Sequence, residues 1–233
     1  MNPFEDIISL FAPPVCPVCG AAMAEGERGF CNRCRATAPM TDYTSAADNP
    51  VFERFWGIVP VERACSLIFF IEGSPWRQAV HDFKYRGAWR TAREAGEWLG
   101  GEMARCGLYD DIDVVVPVPL HAWKLLIRGY NQSEYIAEGV ARVLSKPLAA
   151  KNLVRKKHNP SQTLKPYHER WNNVEGIFGV RRPEEFEGRH ILLVDDVFTT
   201  GATVASCAET LKKAVPDCRI SVATFAVASD PLK

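Results

Sequence analysis

The chain has 233 residues, 47% of them hydrophobic and 24% charged, which is enough apolar material for a true core. Lys plus Arg number 28 and Asp plus Glu number 28, so the formal net charge is zero. That balance excludes coating nucleic acid by net charge alone, although a local basic patch remains open. The opening stretch "MNPFEDIISLFAPP" puts Glu5 and Asp6 where an export signal would be positive, and no segment reaches the ~20 apolar residues that cross a membrane. A cytoplasmic protein without membrane insertion is expected, and in that reducing compartment the eight cysteines predict thiols rather than disulfides.

The first chemical motif is Cys16, Cys19, Cys31 and Cys34, two C-x2-C pairs separated by eleven residues. Each pair lets two thiolates from one tight turn reach a single ion at about 2.3 Å, and two pairs close a tetrahedron. Two matched pairs this close together fit redox chemistry poorly. A structural zinc site is predicted, since four thiolates leave no position open for water. A module of roughly 40 residues has too little volume for its own core and needs such a metal. Cys65, Cys106, Cys207 and Cys218 are scattered singly and read as small buried side chains. The stretch "RATAPMTDYTSAADNP" is polar and proline-flanked, and reads as a linker. Two units follow: 1–45, an N-terminal helix with the four-cysteine ribbon, and 46–233, a larger domain.

In that larger domain, "SLIFFIE" (Ser66–Glu72) predicts a strand, and Trp76, Ala79, Val80 and Phe83 mark a helix over Pro75–Tyr85. Ala92, Ala95, Leu99 and Met103 mark a second helix over Ala88–Arg105. "DVVVPV" (Asp113–Val118) is the continuous apolar run of a strand buried on both faces. A helix over Ser133–Leu144, a buried strand at Ile191–Val194, a helix from about Thr203 to Val215 and a strand at Arg219–Ala228 complete the order. Strands alternating with helices predict an α/β fold with a parallel sheet flanked by helices.

Ligands of such sheets sit at the carboxyl ends of the strands. There the chain reads "ILLVDDVFTTGATV", placing Asp195 and Asp196 directly after an apolar strand. Val197 and Phe198 follow, and then Thr199, Thr200, Gly201, Ala202 and Thr203 turn into a helix. Helix-start amides are unpaired and favour an anion, and Gly201 lets the backbone approach it closely. Two carboxylates would repel a bare phosphate. They suit a sugar phosphate, whose vicinal hydroxyls they accept while the loop holds the phosphoryl group, and they can help order a magnesium ion. A capping role for Asp195 with Asp196 facing water is the plainer alternative.

Residues Ile191–Thr203 resemble the phosphoribosyl-pyrophosphate (PRPP) motif of type I phosphoribosyltransferases. Together with "VPVPLHAWKLLIRGYNQSE", "SQTLKPYHERWNNVEGIF", "FKYRG" and the four-cysteine module, the chain resembles the ComF (competence protein F) family, which joins a zinc ribbon to a phosphoribosyltransferase-like domain. The resemblance implies a pyrophosphate loop at Pro117, Val118, Pro119 and Leu120, built with an unusual peptide geometry. It implies that Arg128, Asn131 and Gln132 line the site from the start of the next helix, the alternative being that they cap that helix, with Asn131 as the cap. A hood over Val154–Asn173 would bring Arg155, Lys156, Lys157 and Arg170 towards the leaving pyrophosphate, with Asn173 completing an Arg-x-x-Asn pattern. Lys84 and Arg86 face the cleft or end a helix. The implied function is PRPP- and magnesium-dependent phosphoribosyl transfer to an unidentified acceptor. The implied context is DNA uptake or use of external DNA, among the uptake machinery or proteins that handle single-stranded DNA. Two rival readings are a PRPP-binding partner or regulator without turnover, and a nucleobase salvage enzyme.

Overall fold

The computed structural model describes residues 14–83, 87–156 and 176–228. In chain order its strands are β1 (Arg63–Phe70), β2 (Val114–Pro117), β3 (Leu153–Arg155), β4 (Phe178–Val180), β5 (His190–Phe198) and β6 (Arg219–Ala228). Its helices are α1 (Asn32–Ala36), α2 (Pro50–Glu53), α3 (Pro75–Asp82), α4 (Trp89–Cys106), α5 (Ala122–Arg128), α6 (Gln132–Leu144) and α7 (Ala202–Ala214). The sheet order is β1, β6, β5, β2, with every neighbour parallel, while β3 and β4 form a separate antiparallel pair.

Successive side chains of a strand point to opposite faces, and here both faces are buried. Val115, Leu192 and Val194 face α3, α4 and α6, where Trp76, Leu99, Met103, Ile136 and Val140 cover them. Val114, Val116, Ile191 and Leu193 face Val204, Ala208 and Leu211 of α7, with Val51 and Phe55 beside them. At the amino end of β5, Asp111 gathers Arg63 and Arg219 at 2.9 Å each and the buried His190 at 3.1 Å. This ionic cluster ties three strands together at the end of the sheet opposite Asp195.

Both edges of the sheet are covered, which removes the open backbone that invites aggregation. On the β2 side, Val115 N donates to Pro147 O and Ala149 N to Val115 O, both at 2.9 Å. On the β1 side, Phe69 N donates to Pro39 O (2.8 Å) and Thr41 N to Leu67 O (3.1 Å). The stretch read as a linker is therefore a short edge strand, and Thr41, Thr44 and Asn49 within it are buried. Its buried polar side chains bond the backbone, as Asn49 does to Ala64 O (2.8 Å), while Asp42, Ser45 and Asp48 face water.

The cysteine module is joined to the same core. Phe30, next to Cys31, is 1% exposed and packs on Trp76 (5.0 Å between ring centroids), Trp98 and Phe225 (6.0 Å each) and Phe83 (6.4 Å).

Several elements depart from the sequence reading. The first strand runs Arg63–Phe70, shifted towards the amino end, because its pairing with β6 begins at Arg63. The strand expected to stop at Val194 continues to Phe198, because β6 goes on pairing through Asp195↔Thr224, Val197↔Ala226 and Phe198↔Val227. A separate helix, α5, precedes α6, so Arg128 closes one helix instead of opening the next. Its apolar residues are exposed and gave no buried face to read. The expected N-terminal helix, Lys84, Arg86 and most of the hood lie outside the described residues.

Helices α4 and α6 touch at glycines. A Cβ on Gly139 would stand 2.2 Å from Arg93 O, and one on Gly96 would stand 2.0 Å from Ile136 O. Alanine favours a helix over glycine by about 1 kcal/mol, yet overpacking at backbone contact outweighs that. Gly139→Ala is expected to lower the unfolding free energy by about 1–3 kcal/mol, read as an earlier urea midpoint.

Candidate functional site

The site begins where β5 leaves the core. Asp195 and Asp196 lie in the last turn of pairing with β6, at the carboxyl end of the strand. Asp196 is 5% exposed, so it does not face water as the plainer sequence reading had it. Asp195 Oδ1 accepts from Ser133 Oγ at 2.7 Å and from Asp196 N at 2.9 Å. Gln132 Nε2 stands 3.5 Å from Asp196 Oδ2. Both side-chain donors belong to the first turn of α6, whose positive end faces the two acids.

Asn131 occupies the capping position of α6 but makes no side-chain cap. Its Nδ2 donates instead to Val118 O at 3.1 Å, tying the loop after β2 to the start of α6. Arg128 Nη1 reaches Gln132 Oε1 at 3.3 Å. Beyond the acids, Gly201 has φ +78, and a Cβ there would meet Phe198 Cζ at 2.6 Å. Glycine thus permits both the left-handed turn and the close passage over the Phe198 ring. It supplies no side-chain cap to α7, and Thr200 Oγ1 instead accepts from Ala202 N at 3.5 Å.

These parts enclose one cleft of about 300 Å³. Val118, Pro119 and Leu120 form one wall, Arg128, Gln132 and Ser133 a second, and Asp195, Asp196, Val197, Thr199 and Thr203 a third. Phe70, Lys124, Asn131 and Arg155 complete the rim. Of the remaining candidates, Thr200, Gly201 and Ala202 form the turn itself, and Pro117 ends β2. The Phe198 ring turns into the core against Phe55, with centroids 5.7 Å apart. Arg170, Lys157 and Asn173 lie outside the described residues. The unusual peptide geometry expected after β2 is not found, since no described peptide bond is cis.

Arg155 reaches the cleft from β3, with its guanidinium 5.5 Å above the Phe178 ring. Burial lowers its pKa from the ordinary arginine value, opposed by Cys207 and Asp195. Ser133 is the partner that sequence reasoning missed. The only signal was its place at the start of a helix leading out of the cleft, and serines are common there. Lys124 and Phe70 carried no signal, because only the folded chain brings α5 and the end of β1 to this rim.

The four cysteines form a second centre. Their sulfurs all lie within 4.8 Å of one another. Cys19 Sγ and Cys31 Sγ are 3.8 Å apart, and two thiolates on a tetrahedral ion at about 2.3 Å stand about that far apart. Backbone amides support the sulfurs: Cys31 N donates to Cys16 Sγ (3.5 Å) and Cys34 N to Cys31 Sγ (3.4 Å). Burial alone would raise the Cys16 pKa, but amide donors at Cys31, Cys19 and Val18 outweigh it and bring it down to about 7. Burial and the neighbouring thiols raise that of Cys34. This donor set could hold one metal ion.

Residues 131–233 match the phosphoribosyl transferase domain family. Competence protein F of Haemophilus influenzae is 32% identical over 43% of this chain and 44% of its own length. The DNA utilization protein YhgH of Escherichia coli K12 is 26% identical over 87% of this chain and 92% of its own. Competence protein ComFC of Bacillus subtilis is 37% identical over 42% of this chain and 38% of its own. The matches to competence protein F and ComFC thus span less than half of those proteins. These relatives make the chain similar to the ComF family. Among solved structures, the glutamine PRPP amidotransferase of B. subtilis aligns at TM-score 0.43 and 18% identity, over 62% of this chain and 30% of that one. A purine phosphoribosyltransferase of Pyrococcus horikoshii aligns at TM-score 0.37 and 20% identity, over 61% and 77%. The fold of this chain is a parallel sheet flanked by helices, resembling the type I phosphoribosyltransferase fold over the matched residues 131–233, with a small four-cysteine module.

The turn at Gly201 gives a direct test of this geometry. Gly201→Ala must hold a Cβ at positive φ over the Phe198 ring, and is expected to cost about 1–3 kcal/mol of stability in denaturant titration.

Proposed function

We propose that this ComF-like protein binds PRPP together with magnesium in the Asp195–Thr203 cleft and transfers its phosphoribosyl group. One observation carries the reading: two acids at a strand end, the start of a helix and the Pro119 loop line a single cleft. Asp195 and Asp196 would accept hydrogen bonds from the ribose diol, with Ser133 and Gln132 orienting the two carboxylates. The amides from Thr199 to Thr203 would hold the 5′-phosphoryl group. Backbone groups of Val118, Pro119 and Leu120 would meet the pyrophosphate, with Arg128 and Arg155 as its cationic neighbours, and Arg170 from the hood. Magnesium, when bound, neutralises charge on the departing pyrophosphate.

In the reaction, the bond from the anomeric carbon to pyrophosphate breaks and its electron pair leaves with pyrophosphate. A lone pair of the acceptor forms the new bond to that carbon, and the acceptor loses a proton. Positive charge grows on the ribose ring in between. No protein nucleophile is needed, so positioning and preorganised charge supply the catalysis. The names of its relatives, competence protein F and DNA utilization protein, support a role in DNA uptake or use of external DNA. We place the protein in the cytoplasm, working with the machinery that handles incoming single strands. No helix among the described residues is long and apolar enough to cross a membrane.

The four cysteines would hold a structural zinc ion, and with Phe30 in the core its loss would reach the main domain. Chelation is expected to lower the melting temperature by several degrees or more and to release one zinc per chain, measured by scanning calorimetry with a colorimetric chelator. For the cleft, Asp195→Asn with Asp196→Asn is expected to abolish the calorimetric heat of PRPP–magnesium binding while leaving the far-ultraviolet spectrum unchanged. Wild-type affinity in that double variant would refute the site. Binding without pyrophosphate release, across a screen of acceptors that includes purine and pyrimidine bases, would replace the transferase by a PRPP-binding partner.

A further inference from the structure

A second and larger cavity, about 520 Å³, opens at the opposite end of β2. It borders Val114, the first residue of that strand, whereas the diacid cleft borders Val118 beyond its last. At about 3.3 Å per residue the two sites are roughly 13 Å apart along the chain. The volume lies within the ~300–1,000 Å³ range of small-molecule sites. Pro147, Leu148 and Ala149 make an apolar floor over the buried Val114 and Phe186, and Lys151, Arg182 and Arg189 bring cations to the rim.

The polar groups here divide into those already committed and those that are not. Glu185 is committed: one carboxylate oxygen pairs with Arg182 at 2.6 Å and the other accepts from Asn152 Nδ2 at 3.0 Å. Asn152 is 1% exposed and spends both ends of its amide. Its Nδ2 also donates to Arg182 O (2.9 Å), while its Oδ1 accepts from the amides of Arg181 (3.2 Å) and Arg182 (2.8 Å). This clamp fixes the floor and cancels one cation. Lys151 and Arg189 form no ion pair among the described residues. Three cations against one carboxylate leave the lining at +2, in a chain whose formal net charge is zero.

An apolar floor beneath uncancelled cations recognises an anion that carries an apolar body. We propose that this cavity is a second ligand site, for a small anion bearing a ring-sized apolar group, with Lys151 and Arg189 holding the charge and Pro147, Leu148 and Ala149 the ring. The assignment does not depend on the PRPP reading of the diacid cleft.

The test uses phenyl phosphate as probe on the full chain carrying ¹³C-methyl alanine. Ala149 and Ala150 line the cavity, and Ala202 sits in the turn at the mouth of the diacid cleft. Saturable shifts of Ala149 and Ala150 are expected. Inorganic phosphate and phenol should each bind at least about tenfold more weakly, since each lacks half of the recognised chemistry. Lys151→Gln with Arg189→Gln should weaken phenyl phosphate by about tenfold or more, with the Ala202 resonance unmoved in the free protein as evidence of an intact fold. The Asp195→Asn, Asp196→Asn variant should keep the Ala149 and Ala150 response, which separates this site from the other. No shift at millimolar probe, shifts confined to Ala202, or equal affinity in the double glutamine variant would overturn the proposal.

Discussion

The double pairing of β5 is the constraint on which everything else rests. With β2 on one side and β6 on the other, the strand has no freedom to slide or tilt. A slip of one residue would turn Leu192 and Val194 out of one core and Ile191 and Leu193 out of the other. The register that satisfies both faces also decides where Asp195 and Asp196 emerge. The position of the two acids is therefore set by buried aliphatic packing some residues earlier, and only finished locally by Ser133 and the amide of Asp196.

The same logic extends outward. Helix α6 can bring Ser133 and Gln132 to the acids because Gly96 and Gly139 let it lie against α4 at backbone contact. The Phe198 ring, turned into the core, forms a platform over which the Gly201 turn passes, so an apolar side chain shapes a polar loop. The cysteine module belongs to this mechanical whole through Phe30, whose ring shares one aromatic cluster with α3, α4 and β6. A metal held by the cysteines would therefore also position part of the main core.

The charges sort by end of the sheet. At the amino end, Asp111 draws Arg63, Arg219 and His190 into one cluster that serves the fold. At the carboxyl end, two acids meet the positive ends of α6 and α7, and the arginines Arg128 and Arg155 stand beside them. Beside the amino end of β2, Lys151 and Arg189 form no close ion pair among the described residues, although Lys151 acts electrostatically on Glu134. A chain that is neutral in total is thus unevenly charged in space, and the net charge says nothing about where an anion would settle.

The order of the four sheet strands and of the four longer helices among them, the cysteine spacing and the glycine turn after β5 were legible in the sequence, whereas α5 and the β3–β4 pair were not. Each legible feature is written in local rules: apolar period, thiol spacing, and a glycine placed between a strand and a helix. What only the tertiary structure decided were properties that need partners distant in the chain. The extension of β5 to Phe198 depends on β6, the burial of Asp196 on α6, and the edge strand at 39–41 on β1. Arg155 reaches the cleft only because β3 pairs with β4 across the hood. The role of Ser133 follows from a hydrogen bond to a residue 62 positions away. Local patterns determine which elements form, while long-range packing and hydrogen bonding determine which side chains meet.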